Sequence, residues 1–260
     1  MSETFYFYIN DILLLEGEKY CRGTKMITIS ELNGVPKITT ACDLPKVLAK
    51  TIKKEKFNVS NGDIICVASK ICSLAEGNIV DLNQVVPSAL AQKIHKQIPR
   101  KDSRLIQVII DQTGDPTGKR LEMDDGYIGA WLPNGLCLTS GGVDKGENNT
   151  AITLPKNCDA IAQKISQTFL QELGVKVGVI ITDSDGRKDK KGANQIAVGL
   201  YGLKGLRINE AAGTAETLCD MLASAAGLVM GQRGVNIPLA CIHGLKYEED
   251  FQSSIENTVN

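Results

Sequence analysis

Residues 177–192 read VGVIITDSDGRKDKKG, and the stretch changes character in its middle. Val177, Val179, Ile180 and Ile181 are apolar and β-branched, which predicts a buried strand over 177–182. Thr182-Asp183-Ser184-Asp185 then supplies four oxygen-bearing side chains in a row, and Gly186 leads into Arg187, Lys188, Lys190 and Lys191 with Asp189 among them. A strand that ends in carboxylates places hard oxygen donors at the end of a sheet, where ligand sites tend to form. Oxygen donors suit Mg²⁺ or Mn²⁺, and the cations that follow suit phosphate oxygens. Carboxylate, metal, phosphate and cation in layers is the arrangement that nucleotide-dependent phosphoryl transfer requires. The plainer alternative is an exposed Asp/Gly turn with solvated charges.

The segments around this strand fill in a mixed α/β (α+β) chain, a mixed sheet with packed helices. Upstream of it, Cys158, Ile161, Ala162, Ile165 and Phe169 recur at helical spacing over Asn157–Leu173, and Gly174 is a natural stop. Downstream, IAVGLYGLKGL reads as another buried strand, and Thr214–Met230 as a helix. Strands are also predicted at 26–32, 62–69 and 237–245, and helices at Asp43–Lys54 and Ser88–His95. RLIQVIID (104–111) fits strand or helix, and 126–142 fits a hairpin turning at Pro133-Asn134-Gly135. Residues 1–25 read as an accessory segment in which TFYFYI could be a strand, ahead of one domain over 26–250.

With 29 Lys+Arg against 30 Asp+Glu, the net charge of −1 argues against a dedicated nucleic-acid binder. No apolar run approaches the ~20 residues of a membrane span, and the N-terminus lacks the basic start of a signal peptide. The eight cysteines form no CxxC pair and several sit in apolar runs, as expected of reduced thiols in a cytoplasmic protein. Two histidines, His95 and His243, leave little material for a zinc site or a His-based triad.

Two further polar turns follow apolar segments. TSGGVDKGENN (139–149) offers adjacent glycines and the carboxylate of Asp144, and MGQRGVNIP (230–238) offers the amide oxygen of Gln232. The plainer readings are a flexible surface loop for the first and a helix C-cap at Gly231 for the second. No GxxxxGK[ST] phosphate loop is present, so the commonest nucleotide fold is not indicated.

Taken in order, GVPKI (34–38), GDIICVASKICSLAEGNIVDL (62–82), VPSALA (86–91), DSRLIQVII (102–110), GGVDKGEN (141–148), VKVGVIITDSDGR (175–187), AVGLYGL (197–203), LASAAGLVMGQ (222–232) and IHGL (242–245) resemble the coenzyme F420-0:L-glutamate ligase family, the CofE-like γ-glutamyl ligases. The resemblance covers about residues 26–246. It implies a metal- and GTP-dependent ligase that joins L-glutamate to a carboxylate acceptor, either coenzyme F420-0 or a related pterin- or folate-like acceptor, through an acyl phosphate. It implies two divalent cations, Mg²⁺ or Mn²⁺, held by Asp144, Asp183, Ser184 and Gln232. It further implies nucleotide contacts from Val35, Pro36, Lys37 and Ile38, from Ser69 and Lys70, and from Met230, Gly231, Gln232 and Arg233 within 230–237. Asp183 and Arg187 are the expected catalytic residues, and a cytoplasmic homodimer is the expected assembly, with small-molecule partners and neither nucleic acid nor membrane.

Three departures stand out. The family's lysine in SKAEG is Leu74 here, its nucleotide-contacting Asn is Glu147, and its GRPWR is Gly186-Arg187-Lys188-Asp189-Lys190. They fit a relative with a changed substrate, and Leu74 and Glu147 also keep open a member that binds nucleotide or metal without ligating. A third reading is an unrelated phosphate-ester enzyme or small-molecule binder.

Overall fold

The computed structural model describes residues 26–124, 126–231 and 237–260, together with the backbone of Phe5–Tyr8. In chain order the elements begin with strands β1 (Phe5–Tyr8) and β2 (Met26–Glu31), helix α1 (Leu44–Glu55), strand β3 (Ile64–Ala68) and helix α2 (Ser69–Glu76). Strand β4 (Ile79–Asp81), helices α3 (Ala89–Gln97) and α4 (Ser103–Thr113), and short strands β5 (Leu121–Asp124), β6 (Tyr127–Trp131), β7 (Cys137–Thr139), β8 (Asp144–Lys145) and β9 (Thr150–Ile152) follow. The last third is α5 (Cys158–Leu173), β10 (Gly178–Gly186), β11 (Ala193–Tyr201), β12 (Leu206–Asn209), β13 (Thr214–Thr217), α6 (Leu218–Met230) and β14 (Leu239–His243).

Six strands form the central sheet in the order β1-β2-β14-β3-β10-β11. Only β3 and β10 run parallel; every other neighbouring pair is antiparallel. Strand alternation explains why the middle strands are apolar throughout. Ile65 and Val67 of β3, with Val179 and Ile181 of β10, face a core built on α1, α2 and α5, while Ile64, Cys66 and Ile180 face a second core under α6. A strand covered on both faces has no polar side to show, so sheet and helices form three layers. A third core joins α3 and α4 to Leu82, Ile128, Ala130 and Ala151, beside the small sheets β4-β9-β8 and β5-β6-β7.

Local chemistry sets the helix ends. The Asn157 side chain accepts from Ala160 N at 2.9 Å to start α5, and Gly174 closes it at φ 71°. Ser88 caps α3 by accepting from Ala91 N, and the apolar run at 104–111 is helical as α4. The predicted hairpin at 126–142 forms as β6 and β7.

Two segments differ from the sequence expectation. Thr214–Thr217 is strand, not the first turn of the last helix, because it pairs antiparallel with Leu206–Asn209 and α6 starts only at Leu218. β10 does not stop at Thr182 but runs on through Asp183, Ser184 and Asp185 to Gly186, held by β11. Among the described residues no helix is long and apolar enough to cross a membrane.

Candidate active site

The four residues beyond Thr182 decide the geometry. β3 accompanies β10 only from Gly178 to Thr182; at Ala68 its chain turns directly into α2. Asp183 is therefore the first residue of β10 past its parallel neighbour, and it meets the opening residue of α2, whose Ser69 Oγ donates to Asp183 Oδ1 at 2.7 Å. One residue further along α2, Lys70 Nζ donates to Asp144 Oδ2 at 3.1 Å. Ser69-Lys70 thus joins a carboxylate from β10 to a carboxylate from the GGVD turn.

That turn is shaped by its glycines. Gly142 has φ 67°, and a Cβ there would overlap the side chain of Leu154. Thr139, just before the turn, clamps it to the tip of β10. Its N–H donates to Asp185 Oδ1 at 2.7 Å, its hydroxyl donates to the Gly186 carbonyl at 3.0 Å, and Gly186 N–H donates back to that hydroxyl at 3.1 Å. The two neighbouring carboxylates of β10 therefore divide their work: Asp185 fastens the loop, and Asp183 faces the α2 start.

Alternation along β10 sets Asp183 and Ser184 on opposite faces of the sheet. Ser184 pairs across the ladder with Gln195, whose side-chain amide donates to Ser184 Oγ at 3.3 Å and to the Gly231 carbonyl at 3.5 Å. Gly231 closes α6 at φ 68°, next to the buried Met230. Gln195 is itself buried, and its Oε1 has no hydrogen-bond partner among the described residues; neither has Thr182 Oγ1. Ala68 N–H donates to the Pro238 carbonyl at 2.9 Å, so positions 231 and 238 both adjoin the site. Gln232 and Arg233 lie outside the described residues.

The electrostatics single out one group. Burial pushes the Asp183 carboxyl up to about 7, against the opposing hydrogen bond from Ser69 and helped by the charge of Asp144. Asp144 and Ser184 are exposed, so the site opens to solvent on that side. Lys101 Nζ donates to Ser140 Oγ at 2.9 Å, and burial lowers its pKa.

Segment 34–38 approaches the GGVD loop, where Lys37 Nζ stands 3.7 Å from Glu147 Oε1, while Val35 and Ile38 pack on the α1–α5 core. Glu147 thus has a cation beside it. Arg187 forks Asp189 with contacts of 2.9 and 3.0 Å, and Lys188 reaches Asp124 at 3.4 Å. Leu74 packs against the α1–α5 core. Gln195 and Lys101 carry no sequence signal: one lies inside an ordinary strand, the other in a short polar turn.

Hard donors fit a hard divalent cation here. Asp144, Asp183 and Ser184 present oxygen only, and Gln195 Oε1 beside Ser184 is a further oxygen without a partner among the described residues. Paired carboxylates with a cationic side chain at the start of α2 gather hard oxygen donors at the end of a mixed sheet. The profile of the F420-0:Gamma-glutamyl ligase family matches residues 34–244, and the chain belongs to that family.

Among its relatives is the coenzyme F420:L-glutamate ligase of Methanocaldococcus jannaschii, 33% identical over 199 residues that cover 73% of this chain and 78% of the relative. The same-named protein of Methanothermobacter thermautotrophicus is 30% identical over 229 residues, covering 84% and 89%. That of Methanosarcina acetivorans is 31% identical over 233 residues, covering 85% and 87%.

Proposed function

We propose that this chain is a γ-glutamyl ligase that forms an amide between L-glutamate and a carboxylate acceptor at the cost of GTP. The reading rests on family membership, and one observation carries it to this site: Ser69-Lys70 ties Asp144 and Asp183 into one cluster at the end of the sheet.

A carboxylate does not condense with an amine in water without activation. The γ-phosphoryl group of the nucleotide passes to the acceptor carboxylate oxygen, giving an acyl phosphate and GDP. The glutamate amine then attacks the acyl carbon, the C–O bond breaks, and inorganic phosphate leaves with the electron pair while the amine loses its proton. Two divalent cations, Mg²⁺ or Mn²⁺, bound by Asp144, Asp183, Ser184 and Gln232 would neutralise charge on the phosphates. The opposite facing of Asp183 and Ser184 supports two cation positions over one. Lys70 and Lys37 supply positive charge for phosphate oxygens, Ser69 orients the Asp183 carboxyl, and Gln195 positions Ser184 against the end of α6. Asp183 holds a proton below pH of about 7 and must give it up to act as a donor. Arg187 would leave Asp189 for substrate phosphate.

Incubation with GTP, labelled glutamate and either F420-0 or a folate tests the reaction. Asp183→Asn is expected to lower incorporation by about a thousandfold, on the scale of losing a group that holds transition-state charge. Incorporation that persists in Asp183→Asn, or none with either acceptor, overturns the reading. Mn²⁺ with GTP at ~100 times Kd should also add about 2.7 kcal/mol to stability. Leu74, packed in the core where the family has a lysine, favours a second reading, a member that binds nucleotide without ligating. Stabilisation by Mn²⁺–GTP with no glutamate incorporated would select it.

We also propose a homodimer. Met221 and Leu228 on α6 and Ile208 on β12 are exposed apolar side chains of a kind that a partner subunit covers. Light scattering giving a single chain's mass at micromolar concentration refutes the dimer.

A further inference from the structure

The opposite end of the same strands carries a second cluster with different chemistry. Asp63 precedes β3, and Cys241 and His243 lie two apart on β14, next to β3 in the sheet. Cys241 pairs with Ile65 and Ile242 with Ile64, so His243 falls beside Asp63 and all three side chains share the face that carries the α1–α5 core. Their ligating atoms all lie within 4.8 Å of one another. From Asp63 to Ser69 is six residues of extended chain, roughly 20 Å at about 3.3 Å each, so this cluster is remote from Asp183.

We propose that Asp63, Cys241 and His243 form a binding site for a zinc-class divalent ion, with a fourth position open to a solvent-filled cleft. It does not rest on the ligase reading.

Asp63 Oδ2 lies 2.9 Å from His243 Nδ1, and Cys241 Sγ lies 3.8 Å from that same nitrogen. A nucleophile–histidine–acid relay uses the two ring nitrogens on opposite sides, one for the nucleophile and one for the acid. Here both partners address Nδ1, which excludes a relay and describes donors gathered about a common point. Sulfur, imidazole nitrogen and a carboxylate oxygen together are the donor set of zinc, and Mg²⁺ or Ca²⁺ would select oxygens alone.

The distances agree with that centre. Tetrahedral zinc with ordinary bond lengths holds its ligand atoms roughly 3.4–3.6 Å apart. The sulfur–nitrogen separation is already close to this, and the oxygen–nitrogen separation needs to open by about 0.5 Å. The cluster is also supported and accessible in the right places. Cys241 is fully buried, and Ser60 N–H donates to Asp63 Oδ2 at 2.7 Å, fixing the carboxylate. The His243 side chain keeps 22% of its surface exposed, on a cleft of about 700 Å³ that holds the fourth position. Among the described residues lining that cleft, Glu31, Glu55 and Asp63 are acidic and Lys56 is basic, a balance that favours a cation.

Cobalt(II) is the probe, since a thiolate bound to Co²⁺ gives a near-ultraviolet charge-transfer band that oxygen-only sites cannot produce. Chelator-stripped full-length protein titrated with Co²⁺ should develop this band to one equivalent per chain, and Zn²⁺ but not Mg²⁺ should abolish it. Cys241→Ser should remove the band, and His243→Gln should weaken the cobalt affinity at least tenfold. Should Cys241→Ser fail to fold, X-ray absorption on the zinc-loaded wild type should show one sulfur scatterer at about 2.3 Å with nitrogen and oxygen near 2.1 Å. A titration without the thiolate band, a band that survives Cys241→Ser, an unaltered affinity in His243→Gln, or a zinc spectrum without sulfur overturns the site.

Discussion

The two ends of the central sheet make a controlled comparison, because β3 runs to both and is flanked there by the same neighbours, β10 and β14. At one end the strand turns into α2, where buried Ser69 and the Asp183 carboxyl meet the exposed side chains of Lys70, Asp144 and Ser184, a cluster of oxygens with one cation. At the other end Asp63, Cys241 and His243 bring oxygen, sulfur and nitrogen together beside a cleft. The strand interiors between them are apolar but for Thr182, so they dictate burial and say little of chemistry. Chemistry is decided by the two or three residues at which each strand leaves the sheet, and adjacent strand ends can therefore be specialised independently.

The sharpest way to break this comparison is to damage the core the two ends share. Phe169 of α5 is fully buried in the core on the sheet face that carries both Asp183 and Cys241. Phe169→Ala should cost about 3–5 kcal/mol in urea unfolding. A smaller loss, under about 1 kcal/mol, would mean that the α5 layer does not hold the sheet.

The next test separates the ends by pH. Asp183 is raised to about 7 in the folded protein and lies near about 3.9 unfolded, so the folded state binds the extra proton between those values. Its stabilising contribution is complete below pH ~4, is lost as pH rises through about 7, and is level beyond. In divalent-free buffer, Asp183→Asn should therefore melt above the wild type at pH 8 and equal to it near pH 4. Added Mn²⁺ at pH 8 should reverse the order. Parallel melting curves at all pH values would show that Asp183 is not burdened by burial.

Smaller effects grade the donors around it. Ser69→Ala deletes a hydrogen bond that favours the ionised Asp183, so the midpoint of Mn²⁺ binding against pH should move to higher pH, with a stability change of about 1 kcal/mol. Lys37→Ala removes an exposed partner of Glu147 and should leave the melting temperature unchanged while raising the KM for nucleotide several-fold. A KM equal to that of wild type would remove Lys37 from the nucleotide contacts.

These outcomes also mark what could be read without coordinates. The apolar runs at 64–68, 178–181 and 239–242 announce buried strands, and Asn157, Ser88 and Gly174 announce helix ends, because each signal is local. Asp183 and Asp144 were legible for the same reason, as carboxylates in polar turns that follow apolar segments. The continuation of β10 to Gly186 was not, since the ladder from β11 that extends it lies across a turn, and Thr214–Thr217 became strand through pairing with 206–209. Gln195 has no motif: its importance comes from facing Ser184 across that ladder. The cluster at the far end is spread over 180 positions and joins only through the β3–β14 pairing, so no local spacing in the sequence announces it.

One feature of β10 has a bearing on solubility. β3 departs at Ala68, leaving the strand from Asp183 onward with a bare side where another chain's backbone could dock, the usual route to aggregation through sheet edges. Thr139 occupies that place: its hydroxyl saturates both the N–H and the carbonyl of Gly186, and Asp185 turns its carboxylate to the Thr139 backbone. That stretch of strand is thereby denied to strangers of its own kind.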